Sequence, residues 1–161
     1  MGEDFQKIVN VSRKKGPGWI ILLHNHSHMF TLQQLKAAHA KVKTGADFPR
    51  YVQEIKGMGL RRYEYLVQDG TTVYYGDDNH QVESIPIYDP QEINSSSSAA
   101  ALRHTIAIHQ QGQTDFLTFC QQAANAGVEK WVIDTERMVC TYLDKNGAVL
   151  IEEPIPQGDY A

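Results

Sequence analysis

The sequence is short of the features that most readily declare a function. Two cysteines in 161 residues, Cys120 and Cys140, exclude a disulfide framework and point to a reducing compartment. No apolar run approaches the roughly 20 residues that cross a bilayer; the longest, Trp19–Leu23, has five. Basic excess is missing too. With 15 Lys and Arg against 19 Asp and Glu the net charge is −4, so the overall field does not draw phosphate and nucleic acid is a disfavoured partner. A phosphate loop, dinucleotide fingerprint, nucleophile elbow, zinc-ligand spacing and calcium loop are all absent. The direct arguments for an enzyme are therefore gone, and the expectation is a non-enzymatic cytoplasmic protein with no cofactor and no metal. A chain of this length supports one core.

Residues 1–28 read differently from the rest. Lys7, Arg13, Lys14 and Lys15 face only Glu3 and Asp4. The apolar stretch is shorter than the roughly 7–15 residues of a signal-peptide core. Gly16-Pro17-Gly18 breaks any helix. His24, His26 and His28 alternate, so an extended backbone puts three imidazoles on one face with the means to chelate a metal. The simpler expectation is a leader outside the fold, which then begins at Met29. Residues 157–161 read as a frayed tail.

What the chain does contain is a repeat. Shifted by 68 positions, ADFPRYVQEIKGMGLRRYEY lies over TDFLTFCQQAANAGVEKWVI without a gap. Asp47 meets Asp115, Phe48 meets Phe116, Gln53 meets Gln121, Gly59 meets Gly127 and Tyr74 meets Tyr142. Phe48, Tyr51, Val52, Ile55 and Met58 fall on one helical face, as do Phe116, Phe119, Cys120, Ala123 and Ala126. Asp47 and Asp115 stand where a carboxylate caps a first turn. Gly59 and Gly127 stand where a left-handed residue ends a helix, with Leu60 and Val128 packing back.

Strands follow in each copy: Arg61 to Val67, Thr71 to Tyr75 and Gln81 to Ile85, then Glu129 to Asp134, Met138 to Asp144 and Ala148 to Glu153. Asp69-Gly70 and Asn146-Gly147 predict two-residue hairpins with both central residues at positive φ. A capping box at Thr31–Gln34 opens a helix over Leu32 to Lys43, with Leu32, Leu35 and Val42 inward. Ser95 to Ser98 caps another, with Leu102 and Ile106 inward. Pro86 to Asn94 is the connector. The expected fold is thus α+β: two internally duplicated ααβββ units, halves 29–88 and 95–156, forming one domain over 29–156. Pseudo-two-fold symmetry would relate them, with antiparallel sheet packed against helices on at least one face.

Two constellations are worth testing. His39 and His109 lie late on the first and third helices, each shortly before Asp47 or Asp115. Two such His–Asp pairs could form general-base units, although a dipole-favoured histidine and a capping aspartate explain them structurally. Tyr63, Tyr65, Tyr75 and Trp131 are the second set, since aromatic strands stack bases or sugars. Alternation puts Tyr63 and Tyr65 on one face and Trp131 with Ile133 on the equivalent face, which also suits a packed core or a protein interface. Both cysteines read as small hydrophobes rather than nucleophiles.

The blocks LKAAHAKVKTGADFPRYVQEIKGMG, YLVQDGTTVYYG and HQQGQTDFLTFCQQAANAGVEKWVIDTERMVCTYLDKNGAVLIEE carry a resemblance. Across about Met29 to Pro156 the chain resembles a family of small bacterial proteins catalogued as a domain of unknown function. Its members are often labelled phage envelope protein because some genes lie in prophage remnants. The resemblance implies a compact cytoplasmic, bacterial or prophage-encoded protein, and it transfers no reaction or catalytic residue. The functional expectation is a module that works through protein contacts or self-association as a homodimer. The alternative is a small-molecule-binding protein or enzyme with a pocket between the halves near His39 and His109.

Overall fold

The computed structural model describes residues 29–157; the expected leader with its three histidines, and residues 158–161 of the tail, lie outside the described residues. The chain runs α1 (Leu32–His39), a short 3-10 turn (Gly45–Asp47), α2 (Phe48–Gly57), β1 (Leu60–Leu66), β2 (Thr72–Gly76) and β3 (Gln81–Glu83). The second run is α3 (Ala99–Gln110), α4 (Phe116–Asn125), β4 (Val128–Asp134), β5 (Val139–Asp144) and β6 (Val149–Pro154). The strands form one six-stranded sheet in the order β3-β2-β1-β4-β5-β6, and every pairing is antiparallel. The fold is α+β, in the order ααβββ-ααβββ. Helices α2 and α4, and strands β1 and β4, start and stop 68 residues apart.

Local chemistry sets the helix ends. At α1 the expected capping box is present: Gln34 N donates to Thr31 Oγ1 and Thr31 N donates to Gln34 Oε1. The helix stops at His39, short of Lys43, because the Lys43 and Thr44 amides donate instead to Asp47 Oδ2, at 2.9 and 3.1 Å. Asp47 therefore does not cap α2 as expected. Its backbone is already helical (φ −82°, ψ −16°), and its carboxylate reaches back along the chain. Pro49, in the first turn of α2, has no N–H to satisfy. Asp115 does cap: its extended backbone lets Oδ1 accept from Thr118 N at 2.7 Å. Ser98 caps α3 through Ala101 N.

The turns depart from expectation in an instructive way. Only Gly70 and Gly147 take positive φ in their hairpins, while Asp78-Asn79 is the pair with both residues left-handed, at φ 54° and 60°. At the first hairpin Thr71 N donates to Asp69 Oδ1, and Gly70 N donates to Leu66 O. That side-chain turn lengthens the loop and needs only the glycine to be left-handed.

The sheet has two unlike faces. Tyr63, Tyr65, Trp131, Ile133, Cys140 and Tyr142 share one face and are all at most 7% exposed. They pack with Leu35, Tyr51, Val52, Ile55, Leu102, Ile106, Phe119 and Ala123 from the helices. Phe116, expected inward, is 43% exposed, yet its ring meets Tyr65 and Trp131 edge-on. The opposite face carries Arg62, Glu64 and Leu66 on β1, Lys130, Val132 and Asp134 on β4, and Val139, Thr141 and Leu143 on β5. All of these are half-buried or exposed.

Gly127 tests the joint between α4 and β4. At φ 87° a Cβ there would sit 2.6 Å from Ser97 Cα and 3.0 Å from Asn94 O, backbone atoms that do not yield. Gly112 has φ 74° and open space around it. Gly112→Ala should cost about 1–2 kcal/mol, the price of a left-handed alanine. Gly127→Ala should cost clearly more in urea unfolding, and equal losses would contradict this account of the joint.

Candidate functional site

The two His–Asp pairs are built on separate helix pairs. His39 is exposed at the end of α1, with its ring edge-on to Tyr51 at 5.3 Å. Asp47 is occupied by the Lys43 and Thr44 amides, which hold its carboxyl below the usual range. His109 is half-buried and stacks on Phe119 at 4.6 Å. Its Nδ1 lies 3.0 Å from the Thr114 carbonyl oxygen and 3.1 Å from Thr114 Oγ1. A carbonyl only accepts, so Nδ1 carries the proton there. The Thr118 amide holds the Asp115 carboxyl low, and nearby His109 adds to this. Each histidine ring thus covers the aromatic residue at the same place of the following helix, Tyr51 or Phe119. Among the described residues no hydrogen bond or ring contact joins His39 to His109, and no cluster of three or more His, Cys, Asp or Glu is arranged to hold a metal.

The aromatic set divides between the two faces of the sheet. Tyr65 stacks on Trp131 across the β1–β4 pairing, centroids 4.1 Å apart and planes within 9°. Tyr63 packs on Tyr74 at 5.6 Å. These rings are core. Tyr65 Oη donates to Tyr88 Oη at 3.3 Å and lies 3.3 Å from Cys120 Sγ, while Tyr88 Oη donates to Val67 O at 2.7 Å. Burial pushes the Tyr65 hydroxyl far above its ordinary range. Tyr75 lies on the other face, because Tyr74 rather than Tyr75 pairs with Tyr63. Arg62 sits over the Tyr75 ring at 3.9 Å, and Lys130 Nζ is 2.5 Å from Glu64. Burial raises the Glu64 carboxyl, but Lys130 and the Tyr75 hydroxyl reverse that and leave it lowered. Tyr63, Tyr65, Tyr75 and Trp131 therefore do not share one exposed face.

Two features escaped the sequence reading. The connector is stapled rather than loose: Tyr88 Oη and Gln91 Nε2 both donate to Val67 O, and Ile93 is buried. Tyr88 and Ile93, apolar in a polar stretch, were the available signal. A cleft of about 250 Å³ also opens between α3 and α4, near His104 rather than His109. No helix among the described residues is long and apolar enough to cross a membrane.

Both cysteines are buried, and burial raises the Cys120 thiol and pushes that of Cys140 up to about 12. Neither should react with a thiol-specific disulfide reagent near pH 8 until the protein unfolds; rapid labelling of the native state would refute this. Asp115 supplies a pH test. Its folded carboxyl is lowered, so its contribution is present above the unfolded carboxylate range and is lost as pH falls through the lowered value. Asp115→Ala should therefore lower the melting temperature at pH 7, and the gap to wild type should close in strong acid.

A search of curated proteins gives no match. A family model does match, over residues 36–154, from the second half of α1 through all six strands. The chain therefore belongs to the family described as protein of unknown function (DUF1398).

Proposed function

We propose that the protein is a cytoplasmic, non-enzymatic contact module that self-associates through the helix-free face of its sheet. The observation that carries this reading is the set of apolar side chains on that face, interspersed with Glu64, Lys130, Asp134 and Thr141. Val132, Val139 and Leu143 are half-buried, and Val149, the register partner of Leu143, is 58% exposed. Six strands about 4.8 Å apart make the face roughly 29 Å wide. With strands of seven residues at its centre, its flat footprint is roughly 600 Å², near the roughly 800 Å² each partner gives to a standard interface. Two such faces, packed about 10 Å apart, would give a helix–sheet–sheet–helix sandwich. The two buried thiols support a reducing compartment.

The same reading takes the two ααβββ units as related copies. Ring pairs support this, since Phe48–Tyr51 and Phe116–Phe119, and again Tyr63–Tyr74 and Trp131–Tyr142, recur 68 residues apart at similar separations. A catalytic or ligand pocket shared by His39 and His109 ranks behind it, because each ring already covers an aromatic neighbour.

Sedimentation tests the proposal. Wild type should show a concentration-dependent dimer, and Val132→Lys should shift it to monomer while keeping the wild-type far-UV spectrum. A wild-type protein that stays monomeric up to roughly 100 µM, a free energy weaker than about 5.5 kcal/mol, overturns it.

A further inference from the structure

The sheet ends at β3 on an edge that can take another strand. Among the described residues no strand pairs with β3 on the side away from β2. Ser84 N donates to Thr72 O and Gly76 N donates to His80 O. The alternation of an antiparallel ladder therefore turns Val82 toward β2 and the backbone groups of Gln81 and Glu83 outward. Proteins commonly blunt such an edge with lysine or cover it with another segment. Lysine is missing here, since neither lysine nor arginine occurs between Arg62 and Arg103. The side chains along and just beyond β3 are acidic and aliphatic instead. Glu83, Asp89 and Glu92 are exposed, as are Ile85 at 71% and Ile87 at 56%. An edge of this kind fits an extended segment in which basic residues adjoin an aliphatic run.

The chain itself supplies such a segment. Arg13, Lys14 and Lys15 precede Trp19–Leu23, the longest apolar run in the sequence. Its point of attachment lies beside the edge. Phe30 is buried, its ring is edge-on to His80 at 4.5 Å, and its carbonyl oxygen accepts from His80 Nε2 at 2.7 Å. His80 immediately precedes β3. Six extended residues, 24–29, span about 20 Å, enough to pass along β3 and bring Trp19–Leu23 over Ile85 and Ile87. A chain arriving at His80 also runs against the direction of β3, the antiparallel sense of every other pairing in the sheet.

We propose that residues 13–28 of this chain dock along the β3 edge. Residues 24–28 bond the outward backbone groups of Gln81 and Glu83, Trp19–Leu23 cover Ile85 and Ile87, and the three cations face Asp89 and Glu92. This edge is separate from the sheet face used for self-association.

Hydrogen exchange on the full-length ¹⁵N-labelled protein tests the docking, with Val82 as the control because its amide faces β2. The Gln81 and Glu83 amides should exchange at least about tenfold more slowly than free-peptide rates. Ile21→Asp combined with Leu23→Asp should return both to free-peptide exchange while Val82 stays slow. Arg13→Glu, Lys14→Glu and Lys15→Glu together should do the same at low salt, where the charge attraction is least screened. Free-peptide exchange of Gln81 and Glu83 in the wild type overturns the proposal. Slow exchange that survives either set of substitutions also overturns it, and slow exchange that then depends on protein concentration assigns the edge to a second copy.

Discussion

The pairing of β1 with β4 is the constraint on which the rest depends. Each ααβββ unit has three strands and two helices, and a three-stranded sheet exposes two long edges. Joining β1 to β4 removes one edge from each unit and makes a single six-stranded layer. The register is fixed where Glu64 faces Val132, with Tyr63 against Ile133 on one side and Tyr65 against Trp131 on the other. The nearly parallel Tyr65 and Trp131 rings span that seam, so a slip of either strand by one residue would carry its ring from the core to solvent. The helices have a continuous apolar floor only because this seam holds.

Much of that architecture was legible in the sequence because its causes are local. A left-handed position after a helix calls for glycine, and Gly59 and Gly127 take φ 93° and 87° there. Inward positions at helical spacing read correctly for Val52, Ile55, Phe119, Cys120 and Ala123, all buried. Where two local rules compete, the reading fails. Asp47, like Asp115, precedes a phenylalanine, but proline follows it closely and the chain before it makes a turn whose amides need an acceptor, so the carboxylate answers those amides instead. Asp69-Gly70 fails for the same kind of reason: the aspartate bonds Thr71 N and makes a different turn from the one its pairing with glycine suggests.

The site was less legible because it depends on which elements meet. His39 and His109 looked like partners in sequence, yet each is fixed by its own helix pair. Tyr75 looked like a companion of Tyr63 and Tyr65 until the β1–β2 register assigned it to the other face. No periodicity records the stapling of the connector by Tyr88 and Gln91, because their acceptor, Val67 O, lies more than twenty residues away. The α3–α4 cleft is likewise a product of the distance between two helices, and nothing in either helix alone announces it.

The two faces of the sheet obey different demands. At inward positions 68 residues apart, bulky apolar groups answer one another: Tyr63 and Trp131, Tyr65 and Ile133, Tyr74 and Tyr142. Outward positions change character. Glu64 stands where the second unit has Val132, but Leu66 stands where it has Asp134 and Val73 where it has Thr141, while Arg62 and Lys130 keep one charge sign. Packing explains the inward agreement, since a shared core tolerates little change in volume. It sets no such limit outside, so apolar and polar residues trade places between the units there. Cross-strand contacts tie that face together: Arg62 lies over the Tyr75 ring, and Lys130 pairs with Glu64 across the β1–β4 seam.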